Sequence, residues 1–447
     1  MTARQATVTN PPAHAPYVAE FKAGNWARRG PEFVREARAA AIAQFEAGGF
    51  PTTRLEAWKH TSVRPITLQH FRPLPGPARA VAEPEIAPYR IAGSHELVFV
   101  DGHFVSGLSL LGDLPRGLTV QSLAASLARP SDALEHHLAR HADNDAPFVA
   151  LNTAFLQDGG VVVASPGTLA ESPVHLLHLS TEPRSPAASH VRHLVVAGAG
   201  AQLTVVQSFV GLPSGDPSLT TAVTELVAGP GAHVSHVRLQ RENPHGFHVG
   251  HLAIRQDRDA VVRDFLFSVG AALSRNEAHA ILGAPGAEIH LDGLFLGTGN
   301  QHVDCPTYID HAVHHTTSHQ VYKGVLDGAA RGVFLGNVKV RADAQKTNAD
   351  QTNRNLLLST RALVDTTPQL EIHADDVKCS HGSTIGQLSK DATFFLRSRG
   401  IDEEHARLML TQAFAAEVLE KAPPRLRTLL DGLLAQWFAC RRVQGMA

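Results

Sequence analysis

GAQL at 200–203, GAHV at 231–234, DAVV at 259–262, GAEI at 286–289, GAARGV at 328–333 and RALV at 361–364 are versions of one phrase. A small or turn-forming residue precedes alanine, and an aliphatic follows. The alanines stand at 201, 232, 260, 287, 329 and 362, so the first intervals are 31, 28 and 27 residues and the later ones 42 and 33. Short β-branched runs lie nearby, such as Val161-Val162-Val163, Leu203-Thr204-Val205-Val206 and Val261-Val262. Strands recurring at near-constant spacing, with turn residues between them, predict a solenoid. Each rung buries its inward face only by stacking on its neighbours, which makes the strands parallel. On spacing alone, a β-sandwich with accidental similarity between its turns remains open.

Outward from this core, helical periodicity takes over on both sides. Residues 1–16, with Pro11, Pro12 and Pro16, read as a loose tail. Pro31 suits a first helical turn, and EFVREARAAAIAQFEA sets Phe33, Ala37, Ala41 and Phe45 near helical spacing before Gly48-Gly49 ends the helix. A proline- and alanine-rich stretch over about 73–95 reads as a linker. Beyond 390, Asp402, Glu403 and Glu404 put negative charge at a helix start, and Ala406, Leu410, Ala413, Phe414 and Val418 line one face. Pro423-Pro424 breaks the chain before a second helix with Leu426, Leu430, Leu433 and Trp437 in register. Such a pair either caps a solenoid end or docks a partner. The expected division is a helical region and linker over 1–95, a transition over 96–159, a parallel β-core over 160–390 and a helical domain over 391–447.

The chain as a whole narrows the function. With 447 residues, 43% hydrophobic and 18% charged, it is globular. A net charge of −2 and no polybasic tract give no reason to expect nucleic acid or an anionic membrane as partner. No run approaches 18 apolar residues, so no membrane span is expected. Cys305, Cys379 and Cys440 form no CxxC pair, which disfavours a zinc ribbon or dithiol motif. Reduced thiols, and a start (MTARQATVTNPPAHAPYVAEFKAG) without the pattern of a signal peptide, lead us to expect a cytoplasmic protein. The 27 histidines are spread along the chain and read mostly as solvated surface.

GxxxxGK[ST], GxSxG and HExxH are all absent, so any ATP used must be bound by another protein. Two clusters remain. DHAVHHTTSHQ carries His311, His314, His315 and His319, which would share a helix face but alternate irregularly on a strand. The text around them is strand-like, so structural roles are expected. ADDVKCSHGST carries Cys379 and His381 two residues apart, which a strand projects to one side. Thiolate and imidazole there make half of a site for iron or an Fe–S intermediate, needing ligands from elsewhere. A buried cysteine with a hydrogen-bonded histidine is the competing reading.

YKGVLDGAARGVF from Tyr322, DAQKTNADQTNRNLLLS from Asp343 and PQLEIHADDVKCSHGSTIGQL from Pro368 resemble the core of the SufB/SufD family of iron–sulfur cluster assembly scaffolds. SRGIDEEHARLMLTQAFAAEVL from Ser398, TTRLEAWKHTS from Thr52 (with Trp58 and Lys59) and ALNTAFLQDG from Ala150 resemble its flanking regions. The similarity covers most of the chain after residue 20 and is weakest over 65–145 and beyond 420. ADDVKCSHG is more similar to the SufD branch than to SufB, which is usually richer in cysteine.

The resemblance implies a mainly β protein: a right-handed parallel β-helix core flanked by α-helical N- and C-terminal domains. It implies a non-catalytic subunit paired with a SufB-like paralogue and two copies of a SufC-like ATPase, the latter bound through about 398–440. It implies a transient Fe–S cluster at the SufB interface, where His381 and Cys379 would stand, and no permanently bound cofactor. ATP enters through SufC, and flavin is a further component of such complexes with no residue here assigned to it. A monomer and a homodimer of the isolated chain both stay open. The alternatives are the SufB paralogue itself and a β-helix polysaccharide-active enzyme, for which Asp350, Arg354, Asp375, Asp376 and Lys378 supply suitable residue types.

Overall fold

A computed structural model describes residues 12–181, 186–213 and 217–444. Residues 1–11 of the expected tail, and the side chain of Cys440, lie outside the described residues. The protein is mainly β, a two-sheet β-solenoid of about seven turns with helical regions at both ends of the chain. The first sheet runs from Leu118–Ser122 through Gly160–Ala164, Ala187–Ala197 and every second later strand to Leu363–Ile372. The second runs from His95–Val100 through Val174–Ser180 and Gln202–Gly211 to Lys378–Gly386. The chain alternates between them, so the register is parallel from rung to rung. The strands His95–Val100, His103–Phe104 and Leu118–Ser122 come from before residue 160.

The recurring phrase is a corner. Gly200, Gly231, Asp259 and Gly286 take positive φ, and Ala201, Ala232, Ala260 and Ala287 after them are fully buried as each second-sheet strand begins. The left-handed conformation turns the chain, which glycine does without strain, and the methyl fills the tight inner angle. The same corner continues at His315-Thr316 and Lys346-Thr347, where non-glycine residues hold the positive φ and buried threonine replaces alanine. The phrases near 328 and 361 belong to the opposite corner, ahead of first-sheet strands, and there Ala330, not Ala329, is the buried residue. The irregular interval of 42 residues arises from this change of corner, since the second-sheet strands themselves start evenly at 261, 288, 317, 348 and 378.

The expectation that most histidines are solvated surface fails for a substantial group. Eight are buried: His175, His178, His190, His193, His236, His248, His251 and His311. Some find polar partners on neighbouring rungs, whereas the His178 ring stacks between Phe99 and Phe209 with neither nitrogen hydrogen-bonded. His175 lies 2.7 Å from Glu96 Oε2 and 2.8 Å from Ser208 Oγ, and His193 Nδ1 accepts from Gly160 N–H. Burial holds the His190 and His193 rings down to about 3, neutral at physiological pH.

The N-terminal helix Glu32–Gly48 buries Val34, Arg38, Ala41, Ile42 and Phe45, so the expected face is displaced toward Val34. It packs with helix Pro147–Phe155 beside the first sheet, where Asn152 Nδ2 donates to Val191 O and Thr221 O on successive rungs. The stretch expected as a linker, 73–95, is not free chain. Ile86 is fully buried against Val98 and Leu177, and Arg90 ties Glu83 to Glu96.

The C-terminal helices begin as expected, Asp402 Oδ1 accepting from His405 N–H at the N-cap. Helix Glu403–Leu419 buries Ala406, Thr411, Ala415, Val418 and Leu419, whereas Ala413 of the expected face is exposed. In helix Arg427–Gln444, Leu430, Leu433 and Trp437 are buried, with Leu426 just before it. Both pack on the flank of the second sheet, against Val237, Phe265, Phe267 and Leu294, and do not cap the solenoid end. No helix among the described residues is long and apolar enough to cross a membrane.

Candidate functional site at the open end of the solenoid

The last rung consists of Leu363–Ile372 and Lys378–Gly386, each paired on one side only. Cys379 stands opposite Ala349 and His381 opposite Gln351, both of which point into the solenoid and are buried. By the same alternation Cys379, His381, Ser383 and Ile385 take the inward register. With no further rung above them, His381, Ser383 and Ile385 are exposed and Cys379 is half-buried. Facing them from the other strand are Val364, Thr366, Pro368, Leu370 and Ile372, in register with inward positions 332 to 340. Residues that would be core in any earlier rung therefore form the floor of an open mouth.

The backbone at this end is also unsatisfied. Lys378 N–H donates back to Thr347 O, so by alternation the N–H groups of Cys379, His381, Ser383 and Ile385 point to the free edge. Leu363 N–H likewise donates to Ala330 O, leaving Val364, Thr366, Leu370 and Ile372 outward. Pro368 falls on that outward set, where its missing N–H costs no internal bond. Leu363, Ile372 and Ile385 are 59%, 41% and 52% exposed, an apolar rim around the mouth.

Cys379 packs against the small cluster of Val338, Val340, Ala344, Ala349 and Ala374. Burial raises its thiol pKa, only partly offset by the Ala349 N–H, so the isolated chain keeps it protonated at neutral pH. Beneath His381, Gln351 Nε2 donates to Gln320 while Gln351 Oε1 is buried without a partner. The arrangement presents one imidazole, one thiol and a row of outward backbone donors at an edge that no strand among the described residues covers.

The histidine cluster at 311–319 does not converge. His311 is buried with both ring nitrogens satisfied, by Thr316 Oγ1 at 2.7 Å and Ser318 Oγ at 2.9 Å, and burial takes its pKa down to about 4. His314 and His315 are exposed in the corner turn, and His319 pairs with Asp350 on the next rung. The residue types suggested for a carbohydrate groove are likewise dispersed: Asp350 binds His319, Arg354 reaches Glu417 at 3.9 Å and Asp376 pairs with Lys346.

TTRLEAWKHTS anchors the N-terminal region to the first sheet. The Arg275 guanidinium lies 3.9 Å over the Trp58 ring, and Thr61 Oγ1 donates to Asp304 at 2.7 Å. Lys59 is exposed beside Glu56. The structure places Cys379 and His381 on one side of their strand, and it brings together a group that the sequence does not single out, His251, Glu277 and His279, whose members meet through strand register.

Comparison with known proteins agrees with this architecture. Residues 178–414 match the SUF system FeS cluster assembly, SufBD core domain, and residues 22–176 match the SufBD protein N-terminal region. An iron–sulfur cluster assembly SufBD family protein of Synechocystis is 35% identical over 400 residues, 88% of each chain. The iron–sulfur cluster assembly protein SufD of Escherichia coli is 31% identical over 83% of this chain and 85% of its own. SufD of Bacillus subtilis is 24% identical over 71% of this chain and 73% of its own. The chain belongs to the SufBD family of iron–sulfur cluster assembly proteins and is SufD-like within it.

Proposed function

We propose that this chain is a non-catalytic subunit of an iron–sulfur cluster assembly complex, whose open solenoid end is closed by a SufB-like solenoid. The observation that carries this reading is the last rung: two adjacent edge strands, each with one side unpaired, with inward-type side chains and an apolar rim left in solvent. Long free edges are an aggregation hazard unless a partner covers them. A second solenoid ending in similar strands satisfies both backbone rows at once. Cys379 and His381 then lie inside the junction, where imidazole and thiolate supply part of the ligand set for a nascent cluster and the partner supplies the rest. The cluster is cargo, passing through the junction.

ATP hydrolysis in this reading belongs to a SufC-like partner docked on the C-terminal helices, about 398–440. The flank of those helices turned from the solenoid supports it: Met409 is 46% exposed, and Phe394 and Phe395 just upstream are 73% and 56% exposed. Deleting 398–447 is expected to abolish co-purification of the ATPase. Undiminished binding by a truncated chain whose β-core stays folded would sink that assignment.

His381 is expected to matter more than Cys379, because an imidazole binds metal without depending on redox state, whereas the half-buried thiol must first lose a proton. His381→Ala should leave folding and complex formation intact and strongly lower cluster formation in a strain lacking the native protein. Cys379→Ala should have the smaller effect. Full complementation by His381→Ala removes that residue from the mechanism. Loss of activity together with loss of the complex returns it to a structural role.

A further inference from the structure

On the first sheet, away from the open end, His251, Glu277 and His279 bring one donor atom each to within 4.8 Å of one another. Strand pairing makes the group. His251 stands opposite Glu277 on neighbouring rungs, and His279 follows Glu277 by two residues, on the same side of its strand. Glu277 Oε1 is 2.8 Å from His279 Nε2, and Oε2 is 3.6 Å from His251 Nδ1, beyond hydrogen-bond reach. That nitrogen is buried and has no partner among the described residues. The group lines a cavity of about 380 Å³ where the sheet meets the N-terminal region, with Trp58, Asp143, Asp145 and Phe148 on the other walls.

We propose that His251, Glu277 and His279 form a binding site for one divalent transition-metal ion of the zinc or ferrous kind. Two imidazoles and one carboxylate are the donor set such ions take, and it discriminates against magnesium and calcium, which prefer all-oxygen shells. Three protein ligands leave a coordination position toward the cavity for water or one of the aspartates. Arg275 Nη2 lies 3.6 Å from Glu277 Oε1, which at first sight disfavours a cation. Its charge is already matched by Asp304 and its plane is stacked on Trp58. Arg275, Asp304 and Glu277 together leave one negative charge for the ion to meet.

A purely structural ion pair accounts for Glu277 and His279 and leaves the His251 nitrogen without a hydrogen bond. This site is separate from Cys379 and His381, and the proposal does not depend on the reading of that end.

The test uses the full chain carrying Cys379→Ala and His381→Ala, so that the terminal pair cannot contribute. Titration with Co2+ should give one saturable equivalent, with ligand-field bands of a low-coordinate nitrogen–oxygen site and no thiolate charge-transfer band. Adding His279→Ala, a half-exposed position, should weaken Co2+ binding by roughly 100-fold or more. Adding His373→Ala, an exposed histidine outside the group, should change nothing. X-ray absorption of the Zn2+-loaded parent should report two imidazoles, a readout that stands even if the His279 variant misfolds. Absence of saturable binding, an unchanged affinity in folded His279→Ala, or a shell without imidazole would overturn the proposal.

Discussion

The two ends of the solenoid are finished in opposite ways. At the early end, the first sheet stops at Leu118–Ser122, antiparallel on Gly160–Ala164, and the second at His103–Phe104, antiparallel on His95–Val100. Phe104, Leu111 and Leu114 pack against the interior cluster that holds Leu97, Phe99, Leu118 and Val120 at that end. At the late end both sheets stop on parallel strands whose outward N–H groups meet no further strand, and the helices that might have covered them lie along the flank instead. A repeat array needs a polar or blocked terminus to stay soluble. One end has its blockers built in, and the other stops, among the described residues, on free strand edges.

The sharpest way to break this contrast is Ser383→Pro. Ser383 N–H belongs to the outward row, so proline should leave the isolated chain folded while removing a donor in the middle of the free edge. Association with a SufB-like partner, measured by calorimetry or pull-down, should weaken by about 1,000-fold, roughly 4 kcal/mol. Unchanged affinity would mean that the partner does not pair along this strand.

Asn152→Ala attacks the covered half. Its buried amide joins two successive rungs to the N-terminal region, and its loss removes the bonds to Val191 O and Thr221 O together. Urea unfolding should show a loss of about 2–3 kcal/mol. A change below 0.5 kcal/mol would show that this region adds little to the early rungs.

Acid should also erase part of the difference. His190 and His193 titrate near 3 when folded, because burial opposes the charged ring, against about 6.5 when unfolded. Their contribution is full above pH 6.5 and is lost as pH falls from 6.5 toward 3, at up to about 1.4 kcal/mol per pH unit for each ring. Asp292, raised to about 7 by burial, works the other way, taking up its proton in the folded state first. Unfolding free energies between pH 7 and pH 4 should therefore decline, and a flat profile would contradict neutral buried rings. Hydrogen exchange should place the earliest acid loosening in the strand Ala187–Ala197.

The smallest effect is expected at Ile385→Ala. The side chain is about half exposed in the free chain, so its stability should change by no more than about 0.5 kcal/mol. Binding of the partner should change by more than that. Equal effects on both would mean that Ile385 serves the isolated fold.

Much of this was legible because corners repeat. Gly-Ala and Asp-Ala revealed four turns of one edge, and the spacing of Cys379 and His381 revealed their common side. The fifth and sixth turns were hidden because His315-Thr316 and Lys346-Thr347 hold the same backbone shape with different side chains. The helical faces were shifted because spacing cannot tell which stripe meets a curved sheet: Thr411 and Ala415 are buried where Ala413 was expected. Interior histidines were misread as surface because single-residue polarity says nothing of a neighbour one rung away. His251 and Glu277 are 26 positions apart in the chain and opposite each other in space, a relation visible only once the register is known.

The direction of the chain adds a consequence of the unblocked edge. The blocked terminus comes from residues before 165, and the free strands from residues after 362. During synthesis the early rungs can emerge and stack on a finished end, and each later rung covers the edge left by the one before. The strands most able to recruit a wrong neighbour leave the ribosome last, already attached to a folded template that fixes their register. Reversing that order, by a circular permutation that makes 363–386 first, would expose the same edge while it has nothing to lie on.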